Sequence, residues 1–271
     1  MSFHLIDTHC HFDFPPFTGA ETESLQKAEI AGVHQLIVPT VTADRFQGVL
    51  DLAKNHPQIF AALGLHPLYI SRHKDADLEL LEGWLSHRDA RLVAIGEIGL
   101  DLYMEQPLFD RQQQLLKAQL VLAKRENLPV ILHSRRSHDQ LAVMLRQARL
   151  PATGVVHGFA GSLSQAQVFV KLGFAIGVGG TISYSRAQKT RNVMAQLPLS
   201  SLVLETDAPD MPLQGFQGQP NRPERAASVF DVLCELRSET PEQIATALLD
   251  NTRRVFALPA WPIVKTTSID P

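Results

Sequence analysis

The chain predicts a single α/β domain of the (β/α)8 TIM-barrel class, and three observations carry that expectation. Short apolar runs rich in Val, Ile and Leu recur eight times, amphipathic stretches separate them, and polar residues collect at the C-terminal ends of the runs. Such alternation implies parallel βαβ units with right-handed crossovers, and eight units close a ring. An open doubly wound sheet would instead bind its ligand at a switch point between a few strands. The candidate ligands here follow runs one, four, five, six and eight, which suits a closed ring. A length of 271 residues with 45% hydrophobic content suffices for one sizeable core.

The strand-like runs lie near residues 3–8, 34–39, 59–65, 91–96, 129–133, 153–157, 173–178 and 201–206. Helix-like stretches fall between them. Residues 25–32 end on Gly32, a favourable helix stop. Residues 44–57 end at a proline, and 78–87 place Leu78, Leu81 and Leu85 on one face. The strongest helix signal covers 111–129, and 137–148, 162–173 and 189–198 follow. Two further helices are expected before residue 258. From Pro259 the proline-rich PAWPIVKTTSIDP has no period, so the domain is expected over 1–258 with a tail at 259–271.

Composition narrows the function classes. No run approaches the ~18 apolar residues of a membrane span. The opening MSFHLIDTH lacks the basic and apolar regions of a signal peptide. Cys10 and Cys234 are too few for a disulfide framework, so a cytoplasmic enzyme is the plain expectation, with Cys10 a small core residue. A net charge of −3 argues against a broadly basic nucleic-acid-binding domain, though not against local grip by a few cations. No segment marks an oligomer interface, and monomer is the default.

Six residues of metal-ligand type end apolar runs: His9 and His11 after FHLID, Glu97 after LVAIG, His133 after PVIL, His157 after TGVV, and Asp207 after SLVLET. Four imidazoles and two carboxylates on one face of a barrel suit a divalent-metal site. His9 and His11, two apart in extended chain, project to one side, and Asp7 on that side is placed to orient an imidazole. A carboxylate buried after an apolar strand needs a partner or a metal, and Glu97 has two oxygens with which to bridge two ions. Asp101 reads as a loop-structural residue or the holder of a nearby basic group. Glu205 points the same way as Asp207 and lies deeper. His66 ends the third run as a candidate substrate contact, with a turn role before Pro67 as the alternative. Arg135 is a candidate for an anionic substrate, Arg136 a weaker one. The glycines of IGVGGT (176–181) offer backbone N–H groups to a phosphate, or simply a tight strand–helix turn. The remaining histidines read as structural or solvated.

The motifs DTHCHFD (7–13), ALGLHP (62–67), GEIGLD (96–101), LHSR (132–135), HGFAGS (157–162) and LETDAP (204–209) resemble the TatD family of metal-dependent deoxyribonucleases, within it the YjjV-type branch. The family belongs to the amidohydrolase-like TIM barrels, and the resemblance runs in order from residue 7 to about 257. It implies metal ligation by His9, His11, Glu97, His133, His157 and Asp207, all present, and a substrate-phosphate contact at His66. One departure is HGFAGS where the family has an HCFSGS-like stretch. Gly158 and Ala160 therefore lack a thiol and a hydroxyl beside His157, but no ligand is lost.

The leading expectation is phosphodiester hydrolysis of DNA, exonucleolytic in mode, at a site holding two divalent ions, Zn²⁺, Mn²⁺ or Mg²⁺. His9, His11, Glu97 and Asp207 would hold one ion and Glu97, His133 and His157 the other, with Asp207 as proton acceptor. Mixed nitrogen and oxygen ligation suits Zn²⁺ or Mn²⁺, whereas the family is associated with Mg²⁺. Two alternatives are a hydrolase of a carbon ester, amide or lactone on the same site, such as an aminoacyl-tRNA deacylase, and a metal-dependent nucleic-acid binder without turnover.

Overall fold

A computed structural model describes residues 3–259. Eight parallel strands follow one another in sequence order: β1 Leu5–Asp7, β2 Val33–Pro39, β3 Ile59–Leu63, β4 Leu92–Asp101, β5 Val130–Arg135, β6 Gly154–Val156, β7 Ala175–Val178 and β8 Leu202–Leu204. The ring closes between its ends. Thr8 N–H and its hydroxyl both donate to Leu204 O (2.9 and 3.0 Å), and Cys10 bridges in parallel to Ala208. His11 N–H donates to Ala208 O at 2.7 Å and Asp207 N–H to His9 O at 2.9 Å, so the seam extends past both strands. The predicted barrel is the observed one.

The helices are α1 Glu21–Ile30, α2 Phe46–Asn55, α3 Asp75–Ser86, α4 Phe109–Glu126, α5 His138–Ala148, α6 Leu163–Lys171, α7 Gln188–Gln196, α8 Ala226–Leu236 and α9 Pro241–Phe256. Local chemistry sets several ends. Ser162 and Gln165 form a reciprocal capping box on α6, and Thr240 and Gln243 do the same on α9, where Pro241 occupies the first helical position. Asn127 stops α4 in the left-handed region, at φ 51°, which asparagine tolerates. Among the described residues no helix is long and apolar enough to cross a membrane.

Two apolar layers hold the barrel. Leu36, Leu63, Ile95, Leu132, Ile176 and Leu204 face outward under the helices. Ile6, Ile37, Phe60, Val93, Ile131 and Val203 fill the interior, and Phe256 at the end of α9, with Leu258, packs into that inner layer. Burying each such side chain contributes about 1.5–3 kcal/mol. Apart from Pro259, the expected C-terminal tail lies outside the described residues.

β4 departs most from expectation. The sequence suggests a strand ending at residue 96, but it runs to Asp101 and is buried throughout. Between Ile95 and Ile98 it spends one residue more than β5 does between Val130 and Leu132, so it carries a bulge. Ile95 and Ile98, three apart, both face the helices. The bulge falls on Gly96 and Glu97 and turns the Glu97 carboxylate inward. Beyond it, β4 and β5 approach so closely that a Cβ on Gly99 would stand 2.0 Å from His133 O.

Candidate metal centre

Seven side chains converge above the inner apolar layer, from the C-terminal halves of strands or the residues just after them, where barrels of this class place their chemistry. Glu97 is the hub. Its Oε2 faces His9 Nε2 at 3.1 Å and His11 Nε2 at 3.4 Å. Its Oε1 faces His157 Nε2 at 2.7 Å, His66 Nε2 at 2.7 Å and His133 Nδ1 at 3.0 Å. Asp207 Oδ1 closes the first group at 3.5 Å from His9 and 3.7 Å from His11, whose Nε2 atoms are 3.3 Å apart. Donor atoms bound at about 2.0–2.2 Å to a common ion would stand roughly 3 Å apart, so this spacing and this nitrogen–oxygen set fit a divalent metal. His9–His11–Asp207 and His9–Glu97–His157 each place their ligand atoms within 4.8 Å of one another.

Hydrogen bonds fix the roles of two rings. His133 Nε2–H donates to Asp101 Oδ2 at 2.8 Å, which leaves Nδ1 as the ring atom turned to the centre, 3.0 Å from Glu97 Oε1. Of the two roles expected for Asp101 it takes the second, the holder of a basic group: it ends β4, holds His133 and accepts Tyr103 N–H at 2.8 Å. Burial works against its charge, but the His133 and Tyr103 bonds prevail and hold the carboxyl below its usual range. His66 Nδ1 accepts Leu68 N–H at 3.0 Å, so its proton sits on Nε2 and is aimed at Glu97 Oε1. Burial, outweighing Glu97, lowers His66 to about 4 and keeps it neutral. A neutral ring with both nitrogens so engaged is a hydrogen-bond donor to the centre.

The other imidazoles share one negative environment. Burial opposes charge on His11 and His157, but Glu97 and Asp207 outweigh it and raise them to about 9 and about 10. His9 stacks on His157 at 3.8 Å between centroids, and burial together with that neighbour pushes His9 well below its ordinary value. Burial works against the Glu97 anion, yet the surrounding imidazoles drive it well below the carboxylate range. Asp207, raised by burial, adopts φ 59°, a left-handed backbone that costs a non-glycine residue roughly 1–2 kcal/mol.

Asp7 does not orient an imidazole. Its Oδ1 accepts the Thr206 and His9 amides at 3.0 and 3.2 Å and its Oδ2 the Thr206 hydroxyl at 2.6 Å, so it ties β1 to the chain leaving β8. Burial pushes it up to about 8 against those bonds. Glu205 lies deeper than Asp207, as expected, and its Oε1 accepts Gly158 N–H at 2.6 Å, next to His157. Burial raises it to about 7. The glycines of 176–181 make room for it: a Cβ on Gly177 would stand 2.1 Å from Glu205 Oε2. Arg135 lies outside the cleft, exposed, with its guanidinium over the Tyr103 ring. Cys10 is a fully buried core residue.

Sequence reading missed two glutamines. Gln112 clasps the Asp101 backbone, accepting its N–H at 2.8 Å and donating to its carbonyl at 2.9 Å. Gln119 does the same at Leu65, beside His66 (2.8 and 3.3 Å). They sit seven residues apart on the buried face of α4, and that spacing was the available signal. Above the centre a cleft of about 240 Å³ is walled by Phe14, Pro15, Val41, Leu68, Tyr69 and Pro209.

The family described as TatD related DNase matches residues 6–257. The chain belongs to the TatD family. It is 62% identical over 259 residues to an uncharacterized metal-dependent hydrolase, YjjV, of Escherichia coli K12, covering 96% of this chain and all of that protein. A crystal structure of YjjV, a TatD homologue from that organism, superposes with a TM-score of 0.94, again covering 96% and 100% of the two chains. A Rahnella protein named 3′-5′ ssDNA/RNA exonuclease TatD is 32% identical over 244 residues, 87% of this chain and 92% of that one. The chain is thus a metal-dependent hydrolase of the TatD family, with a His/Glu/Asp cluster suited to metal.

Proposed function

We propose that the protein hydrolyses phosphodiester bonds in single-stranded DNA from an end, with two divalent ions that Glu97 and the imidazoles and Asp207 around it would hold. The observation that carries this reading is the division of imidazoles between the two oxygens of one buried carboxylate. His9, His11, Glu97 Oε2 and Asp207 would hold one ion, and Glu97 Oε1, His133 and His157 the other. Bound there, divalent ions supply a water of lowered pKa and positive charge beside the phosphoryl oxygens.

The chain's own groups complete the site. Asp207 is the most exposed of the six candidate ligands, at 19%, and its burial-raised carboxylate takes a proton on Oδ2, the oxygen not turned to His9. His66 Nε2–H donates to a non-bridging oxygen of the scissile phosphate. The apolar walls of the cleft exclude water and receive a terminal nucleoside. The name of the Rahnella relative supports a single-stranded substrate.

The test is nucleotide release from 3′-labelled single-stranded DNA with Mg²⁺ or Mn²⁺, wild type beside Glu97→Gln. Release by wild type and none by the variant is the expected result. No release by metal-loaded wild type, with turnover of a carboxylic ester or amide in the same panel, would replace this reading with carbonyl hydrolysis.

A further inference from the structure

The chain has three tyrosines, Tyr69, Tyr103 and Tyr184, and all lie in loops after strands β3, β4 and β7, on the face that carries the metal centre. Each ring has a guanidinium over it: Arg72 on Tyr69, Arg186 on Tyr184, and both Arg135 and Arg136 on Tyr103. The Tyr103 pair is the tightest of these, with guanidinium carbons 3.9 and 4.3 Å from the ring centroid. Cation–π pairs thus recur in the loops of the active face, and of these arginines Arg72 is also ion-paired, with Asp44.

The Tyr103 stack has further marks of a binding element. Tyr103 is 50% exposed and both arginines are exposed, while no ion pair engages either guanidinium among the described residues. Two like charges brought onto one ring repel each other, and an exposed cation–π contact returns only about 0.5–1 kcal/mol. Arg136 also adopts φ 55°, a conformation that costs a non-glycine residue. The stack is anchored to the ligand shell, because Tyr103 N–H donates to Asp101 Oδ1 while Asp101 Oδ2 accepts His133 Nε2–H. None of the three residues lines the cleft, so they stand just outside it, beside the β4–β5 wall.

Paired guanidiniums outside any salt bridge among the described residues, beside an Asp101 carboxylate already committed to His133 and Tyr103, match a phosphate, which accepts two parallel N–H bonds from a planar fork. We infer that the Arg135–Tyr103–Arg136 stack is a second anion subsite, which takes the phosphate next to the scissile one as a single strand leaves the cleft. This rests on the phosphodiesterase reading above. Tyr103 acts as a spacer that holds both cations ready, and its exposed edge packs against the neighbouring nucleoside.

The test uses the full chain loaded with Mn²⁺ and two trinucleotides. Both carry an ordinary scissile linkage, and the neighbouring linkage is either a phosphodiester or an uncharged methylphosphonate. Wild type is expected to prefer the charged neighbour by about tenfold in kcat/KM, through KM. In Arg136→Gln and in Tyr103→Leu that preference falls to about twofold or less, and Arg136→Lys restores part of it. The salt slope of log kcat/KM becomes shallower by about 0.7 in Arg136→Gln, as for one lost phosphate contact on a single strand. If both variants keep the wild-type preference, or wild type has none, the subsite is refuted while the nuclease reading stands. If wild type cleaves neither trinucleotide, the nuclease reading itself has failed.

Discussion

The two walls of the candidate metal centre are built differently. On the β3–β5 side the rings themselves are hydrogen-bonded: Asp101 holds His133 and the Leu68 amide holds His66. On the β1–β8 side the outer Nδ1 atoms of His9 and His11 have no hydrogen-bond partner among the described residues. Order there comes from the backbone, through Asp7 and Thr206, the Asp207 amide on His9 O, and the left-handed turn at Asp207. One wall sets ring tautomer and the other sets chain path. Damage to the first should appear as lost metal affinity, and damage to the second as lost stability.

The largest expected effect removes what the walls share. Glu97→Gln should lower turnover by at least about 10³-fold, several kcal/mol of transition-state stabilisation, and leave elemental analysis with fewer than two ions per chain. Full loading in that variant would show that the walls do not depend on a common carboxylate. Asp101→Asn comes next. It should weaken one of two binding steps in a metal titration by about 10–100-fold while the melting temperature of the metal-free protein barely moves. Equal weakening of both steps would erase the distinction between the walls.

Proton linkage gives a comparable effect. His11 and His157, raised to about 9 and about 10 by Glu97 and Asp207, hold protons in the metal-free protein at pH 7.5. Metal must displace them, so apparent affinity should rise with pH up to about 9–10, at about one decade per pH unit for each proton displaced. Calorimetry in buffers of different ionisation enthalpy should record their release, and an affinity flat from pH 7 to 9 would contradict that assignment. The smallest effect tests the seam. Asp7→Ala leaves the buried Thr206 amide without its acceptor and should destabilise the metal-free fold by about 1–3 kcal/mol in denaturant titration, with metal stoichiometry unchanged. Loss of metal without loss of stability would reverse the comparison.

The barrel was legible because its strands are apolar runs, mostly buried on both faces, and its candidate ligands are polar interruptions at run ends. His133 and His157 needed nothing more to be picked out as candidates. Other parts were hidden for specific reasons. The β4 bulge is invisible to periodicity, since LVAIGEIGLD stays apolar through the kink and only the pairing with β5 reveals the extra residue. Asp101 was open between a loop role and the holding of a basic group because the strand looked shorter. Asp7 shares the parity of His9, but its carboxylate turns sideways to the neighbouring strand, a direction that spacing along one strand does not encode. The glycines at 177 and 179 suggested phosphate because their demand for space comes from Glu205, which lies on a different strand.

The seam between β1 and β8 has a consequence for how the protein is made. His9 and His11 leave the ribosome among the first residues, Asp207 emerges after all eight strands have been synthesised, and Phe256, which packs into the barrel's inner layer, is later still. A nascent chain therefore carries two exposed imidazoles through most of its synthesis without the carboxylate that completes their set. Capture of an ion by His9, His11 and Asp207 together would follow ring closure, and an ion seated between the first and last strands would then act as a clasp on the finished barrel. Metal supply during expression should thus govern the lifetime of the folded protein more than the yield of chain reaching it.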